Sequence, residues 1–314
     1  MTKQLLHTER KISIDAENVV TNRTADPYAL ALNRCIDCLL HPHELAGLVA
    51  RLKKRYKESY GFGNSPYEIL PLNCPNVDVR DKTTYSKLNR FASYNPIFVS
   101  HKEVDILNCR CMVFSCEVME YWLSSKKYDT CYQPFYPTWL ISSLIICISA
   151  KLLGFDEIVD IGSGDARVPY CGEIVGLRGI SVELDANLAE LQRQIISSTG
   201  VQFEILNVDA CKTDFEGMNL SKPLFLISGL PEQGEVLAEA VIANLTHRTF
   251  SFSNLGFALM GSHTMKHYSR DLSIYGWGQF IAKHNLSILD SLTLPTMWTN
   301  EQSTDTPFVF LTFE

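Results

Sequence analysis

Apolar and polar positions give this chain two textures. After an irregular leader of roughly 25 residues, Pro27–Leu40 shows helical spacing, and His41-Pro42 breaks it. Pro42 is placed to open a second helix over about residues 43–59, with Leu45, Leu48, Val49 and Leu52 on one face and Arg51, Lys53, Lys54, Arg55 and Lys57 crowding the rest. Residues 61–66 form a loop, and Pro71, Pro75 and Pro96 argue against long helices over 67–100. Residues 104–123 read as another helical segment, and Tyr128–Pro137 as a hinge rich in aromatics and proline. Beyond it, short apolar runs alternate with helical patterns. Trp139–Leu153 is a helix, Glu157–Ile161 a strand, Gly179–Glu183 a strand, 186–199 a helix and Val201–Val208 a strand. Leu224–Ser228, a helix near 232–245 and a strand at Thr249–Leu255 follow. That alternation predicts βαβ units in a mostly parallel sheet. Leu286–Leu294 and Pro307–Phe313 have no helix between them and predict an antiparallel pair at one edge.

Composition sharpens the division. The 314 residues carry 28 basic and 35 acidic side chains, a net charge of −7, and are 46% hydrophobic, which excludes a disordered, collagen-like or coiled-coil chain. Residues 1–130 hold 18 basic and 15 acidic residues, and residues 131–314 hold 10 and 20. The expected organisation is therefore a mainly helical recognition or accessory domain over 1–130 and a second domain over 131–314. With no secretory pattern at the start, the ten cysteines read as reduced thiols of a cytoplasmic protein. The apolar stretch Trp139–Ala150 is too short to span a bilayer, so no membrane partner is expected. Cys35-x-x-Cys38-x-x-His41-x-His43 has metal-like spacing that Cys109, Cys111 and Cys116 could complete. Cys35 and Cys38 lie in an amphipathic helical pattern, however, and no second Cys-x-x-Cys follows, so no metal site is assigned.

The chemistry is concentrated in Val159-Asp160-Ile161-Gly162-Ser163-Gly164-Asp165-Ala166-Arg167, where a buried strand ends in a carboxylate and turns through glycines into a helix. Glycines allow a tight turn and close approach to a ligand, and the helix N-terminus offers free N–H donors. Glu183, at the end of the next strand, is placed to accept hydrogen bonds from ribose hydroxyls. Arg167 stands where a dinucleotide fingerprint needs its third glycine, and Asp160 and Asp165 would repel a pyrophosphate. A cationic nucleoside suits this charge.

This region resembles the class I S-adenosylmethionine-dependent methyltransferases. Their acid-x-Gly-x-Gly-x-Gly motif appears as Asp160-Ile-Gly162-Ser-Gly164-Asp-Ala166, with alanine replacing the third glycine. The wording Gly-Ser-Gly-Asp-Ala-Arg is closest to the seven-strand protein-lysine methyltransferases. The resemblance covers about residues 131–314. It implies a doubly wound, mostly parallel seven-stranded α/β sheet with a reversed terminal strand, and S-adenosyl-L-methionine as cofactor. The implied cofactor residues are Thr138, Asp160, Gly162, Ser163, Gly164, Asp165, Arg167, Glu183, Leu184, Asp209, Ala210 and Ser228. Of these, Glu183 would hold the ribose, Asp209 would read the adenine amino group, and Thr138 would lie near the methionine end.

The acceptor side is less defined. Base- and glutamine-specific members carry Asn/Asp-Pro-Pro-Tyr after the fourth strand, and this chain has Ser228-Gly229-Leu230-Pro231-Glu232. Ser228, Glu232 and Tyr136 are the candidate catalytic residues, and Tyr275 and Trp277 are candidates for an acceptor slot. The acidic C-terminal part favours a protein amine, such as lysine, over RNA as macromolecular acceptor. RNA methylation and a non-catalytic binding role are the alternatives. A net charge of −7 argues against strong nonspecific nucleic-acid binding, though the basic helix is suited to an acidic partner or RNA.

Overall fold

In the computed structural model, the described residues are 41–60, 66–73, 82–115, 137–245, 254–263 and 271–313. The predicted helix over 27–40 and the 130/131 boundary lie outside them. Helix α1 (Pro42–Tyr60) opens on Pro42 and buries Leu45, Leu48, Val49 and Leu52, as its pattern predicts. It also buries Lys53. A three-stranded antiparallel sheet of order β1-β3-β2 follows, with β1 Tyr67–Asn73, β2 Ser100–Ile106 and β3 Cys109–Ser115; helix α2 (Lys82–Tyr94) lies between β1 and β2 in the chain.

The described N-terminal residues are thus mixed rather than mainly helical, and the helical reading of 104–123 is corrected for its described part. Residues 100–115 form a hairpin whose turn, Leu107-Asn108, holds both residues at positive φ (+51° and +62°). Two-residue turns of this kind usually announce themselves by glycine, and none is present here. Cys109, Cys111 and Val113 point inward with strand periodicity. Cys109 is disulfide-bonded, which corrects the reading of all ten cysteines as reduced thiols. Cys111, Cys147, Cys171 and Cys211 are free. Among the described residues no group of three or more His, Cys, Asp or Glu is placed to hold a metal, and no helix is long and apolar enough to cross a membrane.

Helix α3 (Leu140–Leu152) leads into a seven-stranded sheet of order β6-β5-β4-β7-β8-β10-β9. Its strands are β4 Glu157–Ile161, β5 Arg178–Val182, β6 Glu204–Leu206, β7 Pro223–Ile227, β8 Gly256–Met260, β9 Leu286–Leu294 and β10 Thr306–Phe313. β4 pairs in parallel with β5 and β7, β5 with β6, and β7 with β8, while β10 runs antiparallel to both β8 and β9. Helices α4 (Arg167–Val175), α5 (Ala186–Thr199), α6 (Pro231–Leu245) and α7 (Gly278–Lys283) complete the doubly wound α/β fold. β4, β7 and β8 are buried along their whole length, the signature of strands covered on both faces.

The fifth strand of the sheet's chain order is Gly256–Met260; of the expected strand Thr249–Leu255, residues 249–253 lie outside the described residues. A Cβ at Gly256 would lie 2.4 Å from the Phe155 ring and 2.7 Å from Leu311 O, so close packing demands this glycine inside a strand. Two hydrophobic clusters cover the sheet. One runs continuously from Leu45, Leu52 and Phe91 through Leu144 and Ile148 to Phe308, so helices α1 and α2 share a core with the sheet.

Candidate functional site

Strand order reverses between β4 and β7, which opens a crevice at the carboxyl ends of the central strands. A cavity of about 520 Å³ occupies it. All twelve residues expected to hold a cofactor line this cavity: Thr138, Asp160, Gly162, Ser163, Gly164, Asp165, Arg167, Glu183, Leu184, Asp209, Ala210 and Ser228. Each strand end contributes one piece, with Asp160 from β4, Glu183 just after β5, Asp209 after β6 and Ser228 after β7.

The loop after β4 folds as its sequence requires. Gly162 and Gly164 have φ of +74° and +59°, a region that costs other residues about 1–2 kcal/mol. Ala166, at the place of the third motif glycine, is itself left-handed at φ +60° and fully buried. Its methyl packs in the core that also holds Leu188. Buried Gln192 of α5 grips the loop from behind, donating to Gly164 O at 2.8 Å and to Ser163 Oγ at 3.0 Å, while its own carbonyl accepts from Ser181 Oγ at 2.7 Å.

Asp165 and Arg167 use their charges within the protein. The Arg167 guanidinium, 2% exposed, bonds Asp165, donates to Glu68 Oε1 at 2.6 Å and also bonds Thr138 O. Asn95 donates to Asp165 at 2.7 Å, and Leu140 N–H donates to Glu68 at 2.7 Å. A buried carboxylate–guanidinium–carboxylate row therefore ties β1 and the end of α2 to the glycine loop. The sequence pattern, read within residues 131–314, has no signal for Glu68 or Asn95.

Asp160 is the contrasting case. It is 3% exposed, and its Oδ1 is buried without a hydrogen-bond partner. Burial, reinforced by Glu183 and Asp165, raises its pKa well above the ordinary carboxylate value. Glu183 accepts from Gly164 N–H at 2.8 Å and Asp185 N–H at 2.9 Å, yet burial still raises its pKa. Asp209 caps a short 3₁₀ turn through Cys211 N–H and pairs with Lys212 at 2.8 Å, which lowers its pKa. Exposed apolar side chains, Leu184, Val208 and Val236, rim the mouth nearby.

The far wall comes from the link between β9 and β10. Thr138 and Thr296 form an isolated antiparallel bridge, Met297 N–H donates to Pro137 O at 3.1 Å, and Trp139 Nε1 donates to Asn300 Oδ1 at 3.1 Å. This wall places Trp298 in the cavity, a residue whose only sequence signal was its position between the last two strands. Leu230 and Trp298 also line a smaller polar pocket of about 150 Å³, together with Ser262, His263, Gln302 and Asp305.

Of the candidate catalytic residues, Ser228 lines the large cavity. Glu232 is exposed in the first turn of α6 and outside the cavity lining, where a carboxylate complements the helix N-terminus. Tyr136 lies outside the described residues. Trp277 belongs to the core, 1% exposed with Nε1 donating to Met260 O at 2.9 Å. Tyr275 packs edge-on against His263 rather than lining either pocket.

By sequence, no family model and no curated protein matches the chain. Solved structures similar to it include a Klebsiella pneumoniae protein described as a "putative O-methyltransferase", with 12% identity, a TM-score of 0.42, and 63% of this chain and 91% of that one covered. Another is the tRNA (uracil-54, C5)-methyltransferase of Pyrococcus abyssi in complex with S-adenosyl-L-homocysteine, at 11% identity and TM-score 0.41, covering 56% of this chain and 39% of that one. The B. subtilis M1A22 tRNA methyltransferase TrmK is similar at 13% identity and TM-score 0.39, covering 55% and 65%. The fold assignment itself rests on the strand order and the reversed β10.

Proposed function

We propose that the chain is an S-adenosylmethionine-dependent methyltransferase acting on a macromolecular acceptor. The observation that carries this reading is Asp160, a buried carboxylate with an unpartnered Oδ1 in the lining of a crevice at the strand-order reversal. A buried anion of this kind is stabilised by a cation brought by a ligand. The donor set fits the cofactor throughout. Asp160 would face its ammonium group, with Thr138 O and the glycine loop beside it. Glu183 keeps lone pairs for ribose hydroxyls. The apolar rim of Leu184, Val208 and Val236 suits the faces of a planar base, and Asp209 stands at its edge.

Held there, S-adenosylmethionine would supply an electrophilic methyl group to the acceptor's lone pair, its sulfur keeping the electrons of the broken bond and the acceptor's proton going to solvent. The protein's part is positioning and desolvation. Leu230 and Trp298 form the partition between cofactor cavity and polar pocket, so an acceptor entering that pocket approaches across them. Ser228 offers a hydroxyl on the cavity side. The lysine reading draws no support from this pocket, because Asp305, its carboxylate, already bonds Lys53.

The test is calorimetric binding of S-adenosylhomocysteine, followed by transfer from methyl-labelled cofactor into cell extract with and without ribonuclease and protease. Micromolar binding and label in one macromolecular class are expected. Absence of cofactor binding sinks the reading, and binding without label in any fraction favours the non-catalytic alternative.

A further inference from the structure

The loop that walls the polar pocket is held by the basic helix α1. Lys53 Nζ bonds Thr299 O and Asp305, and Lys57 Nζ donates to Glu301 O at 2.8 Å. Thr299 and Asp305 line that pocket. The basic run therefore does not stand apart from the chemistry, since two of its lysines fix the pocket's rim. The remaining cations face outward. Arg51, Lys54 and Arg55 are exposed. Arg55 approaches Glu58 at 3.6 Å with both side chains half exposed, a contact of little strength. Arg51 and Lys54 have no carboxylate partner among the described residues. On the helix's other flank, Lys102 of β2 lies 5.5 Å and 4.9 Å from the ring centroids of Tyr56 and Tyr60, and Tyr60 is 52% exposed.

We infer that α1 and Lys102 form a docking ridge for a single-stranded nucleic acid, one of whose nucleotides enters the polar pocket beside Trp298. The inference rests on the methyl-transfer reading of the adjoining cavity. Unpartnered cations at one helix face attract a polyanion, and an exposed tyrosine beside a lysine offers a base a stacking surface. A lysine-bearing protein tail would be repelled by the same face. The pocket presents hydroxyl, amide and imidazole groups from Ser262, Gln302, Thr304 and His263, which suit the hydrogen-bonding edge of a base. A paired base cannot enter a concave site without leaving its duplex, which selects a single strand. The chain's overall charge of −7 limits binding elsewhere on the surface and makes the ridge the place where salt acts.

The experiment uses the full chain and fluorescence anisotropy with a mixed-sequence single-stranded RNA, a DNA of the same sequence and a polyglutamate of similar charge. The variant is Arg51→Glu/Lys54→Glu/Arg55→Glu, with S-adenosylhomocysteine calorimetry on both proteins. The expected result is single-strand binding that weakens with salt and falls by at least about tenfold in the variant, with cofactor affinity unchanged. Tighter binding of RNA than DNA identifies RNA as the source, and equal binding identifies a strand recognised by phosphates and bases alone. Nucleic-acid affinity that is absent, or unchanged in the variant, overturns the inference. Binding of polyglutamate without binding of either oligonucleotide also overturns it and assigns the ridge to an acidic protein. Failure of cofactor binding in the unmodified chain is a separate result that sinks the methyl-transfer reading instead.

Discussion

The guanidinium of Arg167 and the carboxylate of Glu68 meet at 2.6 Å across 99 residues of sequence, and neither group is accessible to water. Arg167 in turn holds Asp165 and Thr138 O, both in the wall of the large cavity. Strand β1 thus positions the glycine loop through a single side chain. Glu68→Ala should cost about 3–5 kcal/mol, because it removes one partner of a buried charge. Glu68→Gln keeps an acceptor for the guanidinium and should recover part of that loss. Chemical denaturation measures the stability, and calorimetry with S-adenosylhomocysteine should show weaker binding in the same order. Equal stability of Glu68→Ala and the unmodified chain would remove the buttressing role.

Asp160 makes an opposite prediction. Its pKa is raised in the folded protein, so the folded state holds its proton more tightly than the unfolded chain. Between the two pKa values the folded state therefore binds more protons, and stability falls as pH rises through that window. Asp160→Asn removes this penalty and should raise the stability of the free protein at neutral pH by about 1 kcal/mol, while abolishing the stabilisation that S-adenosylhomocysteine gives. Binding an ammonium group requires the ionised carboxylate. Affinity in the unmodified chain should therefore increase with pH up to the raised pKa of Asp160, with proton release on binding. A flat calorimetric pH profile contradicts the assignment, as does a destabilised Asp160→Asn protein.

The sheet and cavity were legible in the sequence because their determinants are local. A buried strand ending in Asp160, two glycines at positive φ and a carboxylate ending the next strand are consecutive features, and each found its place. The misses are non-local or lack a local mark. The Leu107-Asn108 turn has no glycine, so the β2–β3 hairpin passed for helix. Gly256 is required by Phe155, far away in the chain, so nothing beside it in the sequence marks it as part of a strand. Glu68, Asn95 and Trp298 gain their meaning only when the chain folds back, and of the partners of Arg167 only Asp165 lies within the motif. Lys53 falls among the basic residues that crowd the rest of α1, although its burial follows from the 3.6-residue period that buries Val49 and Tyr56.

Glycine has a second use behind the site, separable from positive φ. A Cβ at Gly179 would come within 2.3 Å of Pro169 O, so β5 and the first turn of α4 touch backbone to backbone. Gly179→Ala should force α4 away from the sheet and cost about 1–3 kcal/mol. Gly162→Ala meets nothing within 4 Å and should cost about 1 kcal/mol from its φ of +74° alone. The two differ in reach. Moving α4 displaces Arg167 and Asp165, so Gly179→Ala should also lower cofactor affinity through the loop. Thermal melts with and without S-adenosylhomocysteine separate the contributions, and a Gly179→Ala protein as stable as the parent refutes the backbone contact.

Lys53 and Asp305 form the second buried pair, with 6% and 10% of their side chains exposed. Burial lowers the pKa of Lys53, and Asp305 is the charge that opposes this shift. Removing only the carboxylate, in Asp305→Ala, strands the ammonium in a site that disfavours it. That should cost about 3–5 kcal/mol and free the loop over residues 299–305 that walls the polar pocket. Lys53→Met/Asp305→Leu replaces the pair by apolar groups of similar size and should recover much of the stability, since the desolvation cost disappears with the charges. Methyl transfer should not recover with it, because Lys53 also holds Thr299 O at the rim of the polar pocket. Cofactor affinity should stay near that of the parent in the double variant. A double variant that restores both stability and turnover would show that the pair serves only the fold.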